Sequence, residues 1–254
     1  CEAAAEAGFT AIGHLSPLLD ESREDRYFET HAERVRTARE RVRRYREAVG
    51  DDVDLCIELH RRLDPHDAVA LASKLEPFDP LFLEDPVKPD SFDSMVAVAE
   101  GTSLPIATGE RLHTPHEFAH LLERGAVDFV RPDVGLCGGI TGTKKIAAIA
   151  EAHDAAVVPH NPLGPVSTAQ SLQVAAAVPN ATLVEYPYRP DIGRAPSEAL
   201  IEEEFERDGG FLTIPDGPGL GVTIDEEELA AAEAAYEPRE FSTRLHRDGS
   251  VVDQ

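Results

Sequence analysis

The chain has 254 residues, of which 42% are hydrophobic, and it carries 48 acidic against 24 basic side chains, a formal net charge of −24. This charge argues against nucleic acid or an anionic membrane as a partner, because both need a cationic surface. No apolar run approaches the roughly 18 residues of a membrane span, so no membrane-spanning segment is expected.

Strand-like and helix-like segments alternate along the chain. The alanine-rich start "CEAAAEAGF" has helical character and lacks Met, which suggests a fragment whose natural N-terminus is missing. Residues 9–15 form the first predicted strand, and residues 31–50 form an amphipathic helix closed by Gly50. Residues 53–59 are the next strand, before a helix over 64–78 that Asp64 can cap. Further strands are predicted at 80–84, 104–109, 127–133, 155–160 and 182–186, with helices at 91–101, 114–125, 138–154 and 166–180.

This alternation predicts a parallel sheet. Seven strands at roughly 25-residue spacing favour a closed (β/α) barrel over an open doubly wound sheet, since no G-x-G-x-x-G motif follows the first strand and no P-loop occurs. The glycines of 135–142 are interpreted as a tight turn rather than a phosphate cradle. The predicted organisation is a catalytic barrel over 1–190 and a C-terminal segment over 191–254 that packs outside it.

Three predicted strands carry a glutamate at or next to their carboxyl end. Glu58, Glu84 and Glu110 follow apolar runs and are 26 residues apart in both cases. Carboxyl ends of parallel barrel strands form one rim, so these side chains are expected to converge there, where unpaired carboxylates would repel. A cation resolves the repulsion, and oxygen ligands with open positions suit Mg²⁺. The alternative, three solvated loop acids, is disfavoured by the equal spacing.

Polar residues also end three later strands: Asp133, His160 and Glu185. Considered alone, His160 is more typical of a core or loop histidine whose hydrogen bonds are satisfied and which has no catalytic role. An aspartate on the adjacent strand end can fix the imidazole tautomer and raise its basicity, which predicts a general base. His60, two residues after Glu58, is a second imidazole at the same rim and a candidate proton donor.

Order and spacing of several motifs carry a resemblance to a known family. The motifs are "ELHRRL", "FLEDP", "IATGERLHTP", "RPDVGLCGGITGTKKIAAIAEAHD" and "VVPHNPLGPVSTAQSLQVAAAVPN". From about Gly8 to Tyr186 the chain resembles the acid-sugar dehydratases of the enolase superfamily, in the mandelate racemase-like branch, of the galactonate and gluconate type. The resemblance implies a (β/α)7β barrel of the enolase type, here lacking the N-terminal capping domain and the first barrel strand.

The resemblance also implies site roles. Glu58, Glu84 and Glu110 would bind Mg²⁺. The Asp133–His160 pair would remove the proton next to the substrate carboxylate, and His60 would act as general acid on the departing hydroxyl. Glu185 would lie near the bound carboxylate or enolate. The family pattern has Asp as first ligand and Gly–Arg after the histidine, where this chain has Glu58 and then Arg61–Arg62.

The implied activity is Mg²⁺-dependent dehydration of an aldonic acid to a 2-keto-3-deoxy acid. A racemase, epimerase or cycloisomerase on the same scaffold stays open, although Gly13 and His14 stand where those enzymes often carry a lysine motif. A noncatalytic truncated barrel is the non-enzyme alternative. The expected partners are a small-molecule sugar acid and further copies of the chain, as a homo-oligomer.

Cysteine and lysine usage adds two expectations. Cys1, Cys56 and Cys137 are odd in number and far apart, which argues against a disulfide framework or a zinc ribbon and fits a reducing cytoplasm. The bases include four lysines, and an acidic, lysine-poor surface stays hydrated in concentrated salt. A halophilic source is therefore predicted.

Overall fold

One parallel sheet organises the molecule. The computed structural model describes residues 1–18, 30–188, 196–237, 245 and 248–250. Within them, six strands pair in sequence order, each parallel to the next: β1 Ala11–Leu15, β2 Asp54–Glu58, β3 Phe82–Glu84, β4 Ile106–Thr108, β5 Phe129–Val130 and β6 Ala156–Val157. An order that never reverses is that of a (β/α) barrel, since a doubly wound sheet has a switch point. The predicted barrel class is confirmed, as a curled sheet of barrel type.

The helices are α1 Glu2–Glu6, α2 His31–Val49, α3 Pro65–Leu75, α4 Phe92–Glu100, α5 Pro115–Leu122, α6 Gly139–Ala152, α7 Pro165–Ala177 and α8 Glu226–Ala234. Helices α2 to α6 each connect two successive strands of the sheet, whereas α1 precedes β1, and α7 and α8 follow β6. Short 3₁₀ turns occur at Glu76–Phe78 and Pro196–Leu200. In the part of the chain that the structure describes, no helix combines the length and apolarity needed to cross a bilayer.

Local capping explains where the helices begin. Thr30 forms a capping box with Glu33, in which the Thr30 hydroxyl accepts from the Glu33 N–H at 3.3 Å and Glu33 accepts from the Thr30 N–H at 3.1 Å. These bonds satisfy N–H groups that have no partner inside the helix. Gly50 ends α2 at φ +74°, as expected for a terminating glycine. Asp64 occupies the N-cap position of α3, but its side chain accepts no capping bond there.

Side chains alternate between two cores, because successive strand residues point to opposite faces. Leu55 and Ile57 of β2 pack under the helices, in the large core, whereas Cys56 faces a small cluster on the other face of the sheet. That inner cluster consists of Cys56, Phe82, Ala107 and Val158. Glu58 lies two residues beyond Cys56, and Glu84 two beyond Phe82. The period of two therefore directs both carboxylates to the inner face.

The seventh predicted strand, over 182–186, is reduced to a bridge. Val157 pairs with Ala181 in parallel, its N–H donates to the Asn180 carbonyl at 2.9 Å, and its carbonyl accepts from Thr182 at 3.1 Å. Beyond this point the Glu185 carbonyl accepts from the Asn161 side chain at 2.9 Å. A side-chain amide thus uses a backbone group that a strand ladder would have needed.

The C-terminal segment contacts the beginning of the chain. Strands β7 Arg207–Asp208 and β8 Phe211–Leu212 form a two-stranded antiparallel hairpin. Arg207 donates to the Ala7 carbonyl at 2.7 Å, and its guanidinium lies 5.1 Å from the Phe9 ring centroid and 5.0 Å from that of Tyr188. The predicted division between 190 and 191 lies outside the described residues and stays a prediction.

Candidate active site

Three glutamates meet at the carboxyl ends of consecutive strands. Glu58 and Glu84 are direct partners in the β2–β3 register, and Glu110 follows β4 after Gly109. One carboxylate oxygen from each lies within 4.8 Å of the others, and the residues are 1%, 2% and 9% exposed. The rim geometry expected from the 26-residue spacing brings these acids together.

Burial and mutual repulsion perturb these carboxyl groups. Desolvation first, and then the charges of Glu84, Asp85 and Glu110, raise the pKa of Glu58 well above its usual value. Burial also raises the pKa of Glu84 to about 7, with Asp85 adding to the rise although Arg131 opposes it. A cation among them would relieve this cost, and three carboxylate oxygens are the donors that Mg²⁺ prefers. The residues present therefore fit a magnesium ion.

Two buried arginines partly neutralise the cluster, and sequence reasoning did not assign them. Arg131 pairs with Glu84 through Nε and donates to Glu185 Oε2 at 2.6 Å. Arg61 donates to Asp85 Oδ2 at 3.1 Å and pairs with Glu110. A signal was available for Arg131, because it directly follows β5 and is a polar strand end of the kind used to select the other site residues.

Asp133 and His160 form the predicted pair. They bridge in parallel beyond β5 and β6, and His160 Nδ1 lies 3.0 Å from Asp133 Oδ2. Asp133 Oδ1 accepts from the Gly135 and Leu136 N–H groups at 2.9 and 3.2 Å, which fixes the carboxylate. The other imidazole nitrogen, Nε2, lies 3.2 Å from Glu110 Oε2. The pair therefore abuts the glutamate cluster directly.

The two carboxylates set the charge state of His160. Burial disfavours the imidazolium, but hydrogen bonds to Asp133 and Glu110 outweigh it and raise the pKa of His160 to about 9. The pKa of Asp133 is lowered, since the hydrogen bond to His160 and the pull of its charge overcome burial. Near neutral pH this arrangement therefore favours an imidazolium paired with a carboxylate.

His60 lies just beyond the end of β2, and its ring contacts the Arg61 guanidinium. Arg61 NH2 lies 3.0 Å from His60 Nε2, and since a guanidinium can only donate, Nε2 accepts. The hydrogen of the neutral ring is then on Nδ1, which is buried and has no hydrogen-bond partner among the described residues. Burial, and next the charge of Arg61, lower the pKa of His60 to about 4. The ring is neutral at pH 7 in this arrangement.

Glu185 lies at the edge of the site. Its Oε2 accepts from Arg131 NH2 at 2.6 Å and from the Asn161 N–H at 2.9 Å. Arg131 thus joins Glu185 to Glu84, and all seven predicted site residues belong to one connected group on the rim. Their chemical roles remain predictions.

Backbone strain is concentrated at the same strand ends. Four non-glycine residues there have left-handed φ values: His14 at +52°, His60 at +52°, Arg61 at +64° and Asp85 at +43°. Such conformations are disfavoured for residues with a Cβ, and they accumulate at functional sites. The His14 and His60 rings, 6.3 Å apart, meet edge to face at 84°.

The fold and the site agree with the similarity to known proteins. Residues 2–228 match the family described as "Enolase C-terminal domain-like". The chain is 37% identical over 218 residues to D-galactonate dehydratase of Variovorax paradoxus, covering 84% of this chain and 56% of that protein. It is 38% identical over 212 residues to D-gluconate dehydratase of Thermoproteus tenax, covering 83% and 41%.

Solved structures give the same result. A putative galactarate dehydratase from Agrobacterium radiobacter, described with bound Na and L-malate, superposes with a TM-score of 0.85 at 32% identity, covering 97% of this chain and 64% of that one. The chain spans about half the length of the curated relatives it matches. By its family model, by sequence identity and by fold, the chain belongs to the enolase C-terminal domain-like family.

Proposed function

We propose that this chain is the catalytic barrel of a Mg²⁺-dependent acid-sugar dehydratase that converts an aldonic acid to a 2-keto-3-deoxy acid. The observation that carries the proposal is the contact between His160 Nε2 and Glu110 Oε2 at 3.2 Å, which places an Asp–His pair against three clustered glutamates. Similarity to galactonate and gluconate dehydratases supports the substrate class.

Glu58, Glu84 and Glu110 would hold the metal ion. A proton next to a carboxylate is very weakly acidic, and its removal leaves an enediolate with two negative oxygens. When bound, Mg²⁺ would supply the positive charge that stabilises this enediolate. The three glutamates come from the ends of consecutive strands of one sheet, and the β2–β3 register places Glu58 directly beside Glu84.

His160 would remove the α-proton. Asp133 Oδ2 accepts from His160 Nδ1 and so directs the other nitrogen, Nε2, toward the glutamate cluster. Hydrogen bonds to Asp133 and Glu110 raise the pKa of His160 to about 9, which favours the imidazolium at pH 7 as long as both carboxylates keep their full charge. A Glu110 that shares its charge with a cation attracts the imidazolium less, and His160 then gives up its proton more readily.

His60 would protonate the leaving hydroxyl at the neighbouring carbon. Water leaves, and the resulting enol tautomerises to the 2-keto-3-deoxy product. As long as Nε2 accepts from Arg61, this nitrogen carries no proton. The acid role therefore requires that Arg61 release Nε2 and that the ring take up a proton there, which the imidazolium then gives to the departing hydroxyl. Glu185, paired with Arg131, would lie near the substrate carboxylate or enolate.

A racemase, epimerase or cycloisomerase is the second candidate. His14 stands where such enzymes often carry a lysine motif, which counts against this candidate, but its ring lies 6.3 Å from that of His60 and is a further imidazole that keeps the candidate open. Such an enzyme would exchange the α-proton with solvent without losing water.

The three free cysteines, two of them buried, support a proposed cytoplasmic location. A homo-oligomer is also proposed, and light scattering of the purified protein tests it.

A product assay tests the proposed activity. The full-length protein is incubated with Mg²⁺ and a panel of gluconate, galactonate, xylonate and arabinonate, and 2-keto-3-deoxy product is detected. At least one acid should be dehydrated, EDTA should abolish the reaction, and His160→Asn should be inactive. His153→Asn is the matched control, since His153 is exposed at the end of α6. Deuterium exchange without dehydration would favour the second candidate, and Mg²⁺ binding without either reaction would favour a noncatalytic barrel.

A further inference from the structure

A cation of the chain itself already lies in the glutamate cluster. The Arg61 side chain is only 8% exposed. Its NH1 donates to Asp85 Oδ2 at 3.1 Å and pairs with Glu110 Oε1, and its NH2 lies 3.0 Å from His60 Nε2. A buried guanidinium thus links the ends of β2 and β3 to the acid that follows β4.

The backbone at Arg61 is strained in order to hold this position. Its φ of +64° lies in the left-handed region, where Cβ approaches the carbonyl oxygen. The Arg61 N–H donates to the Asp85 carbonyl at 2.7 Å, so backbone and side chain both bind the same neighbour. Strain of this kind persists only where surrounding contacts impose it, and it indicates a function.

Glu110 has both oxygens engaged in this arrangement. Oε1 pairs with Arg61 and lies 3.4 Å from Nε of Arg111, a side chain that is 55% exposed. Oε2 lies 3.2 Å from His160 Nε2. A divalent ion ligated by this carboxylate together with Glu58 and Glu84 must therefore compete with a bound cationic group. Arg61 is the most deeply buried competitor for Oε1.

We propose that Arg61 is a positioning residue that serves as the counter-cation of the metal-free site and must release Glu110 before a divalent cation binds all three glutamates. The inference rests on the metal site of the proposed function. Arg61 compensates Asp85 and Glu110 while no ion is present, and this compensation lowers the affinity for metal. The same release frees His60 Nε2, which couples metal binding to the arrangement of the second imidazole.

The direction of the effect follows from the charges. Without Arg61, Asp85 loses its arginine partner. Among the described residues, Glu110 then keeps only His160 and the half-exposed Arg111 as cationic neighbours, which leaves the buried carboxylates less well compensated and is costly. An incoming cation removes that cost, so the variant gains more from binding than the wild type. We expect the dissociation constant for Mg²⁺ to fall about tenfold, which corresponds to about 1.4 kcal/mol.

Calorimetric titration of Mg²⁺ and Mn²⁺ into the purified protein tests this role. Arg61→Gly removes the guanidinium and suits a φ of +64°, so the backbone is relieved rather than strained. Arg61→Lys keeps the charge and should stay close to wild-type affinity. Arg62→Ala is the matched control, because it removes the same charge at the next residue. The Arg62 side chain donates to the Leu18 carbonyl at 2.7 Å.

Arg61→Gly should bind both ions about tenfold more tightly than wild type, and Arg62→Ala should bind them unchanged. Urea unfolding gives a second readout, in which Mg²⁺ should raise the midpoint of Arg61→Gly more than that of wild type. Equal or weaker binding by Arg61→Gly, with normal binding by wild type, overturns the role of Arg61 alone. An equal gain in Arg62→Ala also overturns it, since overall charge would then explain the effect. A wild type that binds neither ion overturns the proposed metal site.

Discussion

Raising the pH of the metal-free protein should destabilise it through His160. The pKa of this residue is about 9, whereas an unperturbed histidine titrates near 6.5. The folded protein therefore binds this proton more tightly than the unfolded chain. The resulting stabilisation is fully present below about pH 6.5 and is lost as the pH rises through about 9.

The size of the loss follows from the shift. Between pH 7 and pH 9.5 the two pKa values predict that the free energy of unfolding falls by about 2 kcal/mol. The His160 side chain is only 16% exposed, so solvent screens its ion pairs little. Glu84 has a raised pKa of about 7 and acts in the same direction at lower pH, between about 4.5 and 7. Starting at pH 7 therefore separates most of the histidine contribution from that of the glutamate.

Urea unfolding followed by circular dichroism, in EDTA at pH 7 and pH 9.5, measures this effect. Over this interval the free energy of unfolding of wild type and of the His153→Asn control should fall by about 2 kcal/mol more than that of His160→Asn. Other groups that titrate in the interval cancel in that difference. With saturating Mg²⁺ the extra loss should shrink, since Glu110 then attracts the imidazolium less. Equal pH dependence of wild type and His160→Asn in EDTA would refute the assigned ion pairs of His160.

Three further predictions concern the ligands, a glycine and the surface. In calorimetric titrations, Glu84→Gln should weaken Mg²⁺ binding at least about tenfold more than Asp85→Asn, because both oxygens of Asp85 already accept hydrogen bonds, from Thr108 and Arg61. Equal effects of the two substitutions would contradict the choice of Glu84 as the ligand. Gly109→Ala should lower the free energy of unfolding by about 2 kcal/mol or more, since φ is +144° and a Cβ would lie 2.7 Å from Phe118 Cε1. Gly125→Ala is the control and should lower it less, because at φ +63° its Cβ would meet no further atom of the described residues within 4 Å. The melting temperature should rise between about 0.1 M and molar KCl as surface repulsion is screened, and a flat or falling profile would remove the halophilic interpretation.

Periodicity in the sequence was sufficient to predict the sheet and much of the rim. The alternation of strand-like and helix-like segments determines the strand order, and strands ending in glutamate place Glu58 opposite Glu84 without any knowledge of tertiary structure. The same rule brought Asp133 and His160 together from strand ends 27 residues apart. These features depend on backbone geometry, which the local pattern largely determines.

Features that depend on side-chain partners were not predictable in this way. Arg61 and Arg131 are charged residues of a common type, and only their burial among acids reveals their importance. The neutral state of His60 likewise arises from burial and from Arg61. The reduction of the seventh predicted strand to a bridge at Ala181 was not predictable either, and the contact of the Asn161 side chain with the Glu185 carbonyl also depends on tertiary structure.

The division of labour between the two imidazoles is the central claim, and one measurement addresses it most directly. A substrate identified by the product assay is incubated in D₂O with Mg²⁺ and the protein, and α-deuterium in recovered substrate is followed by NMR. His160→Asn should lose exchange and dehydration together, by at least about 10²-fold, as expected for loss of a general base. His60→Asn should still exchange the α-proton while dehydration falls. Exchange that is retained in His160→Asn but lost in His60→Asn would contradict the account.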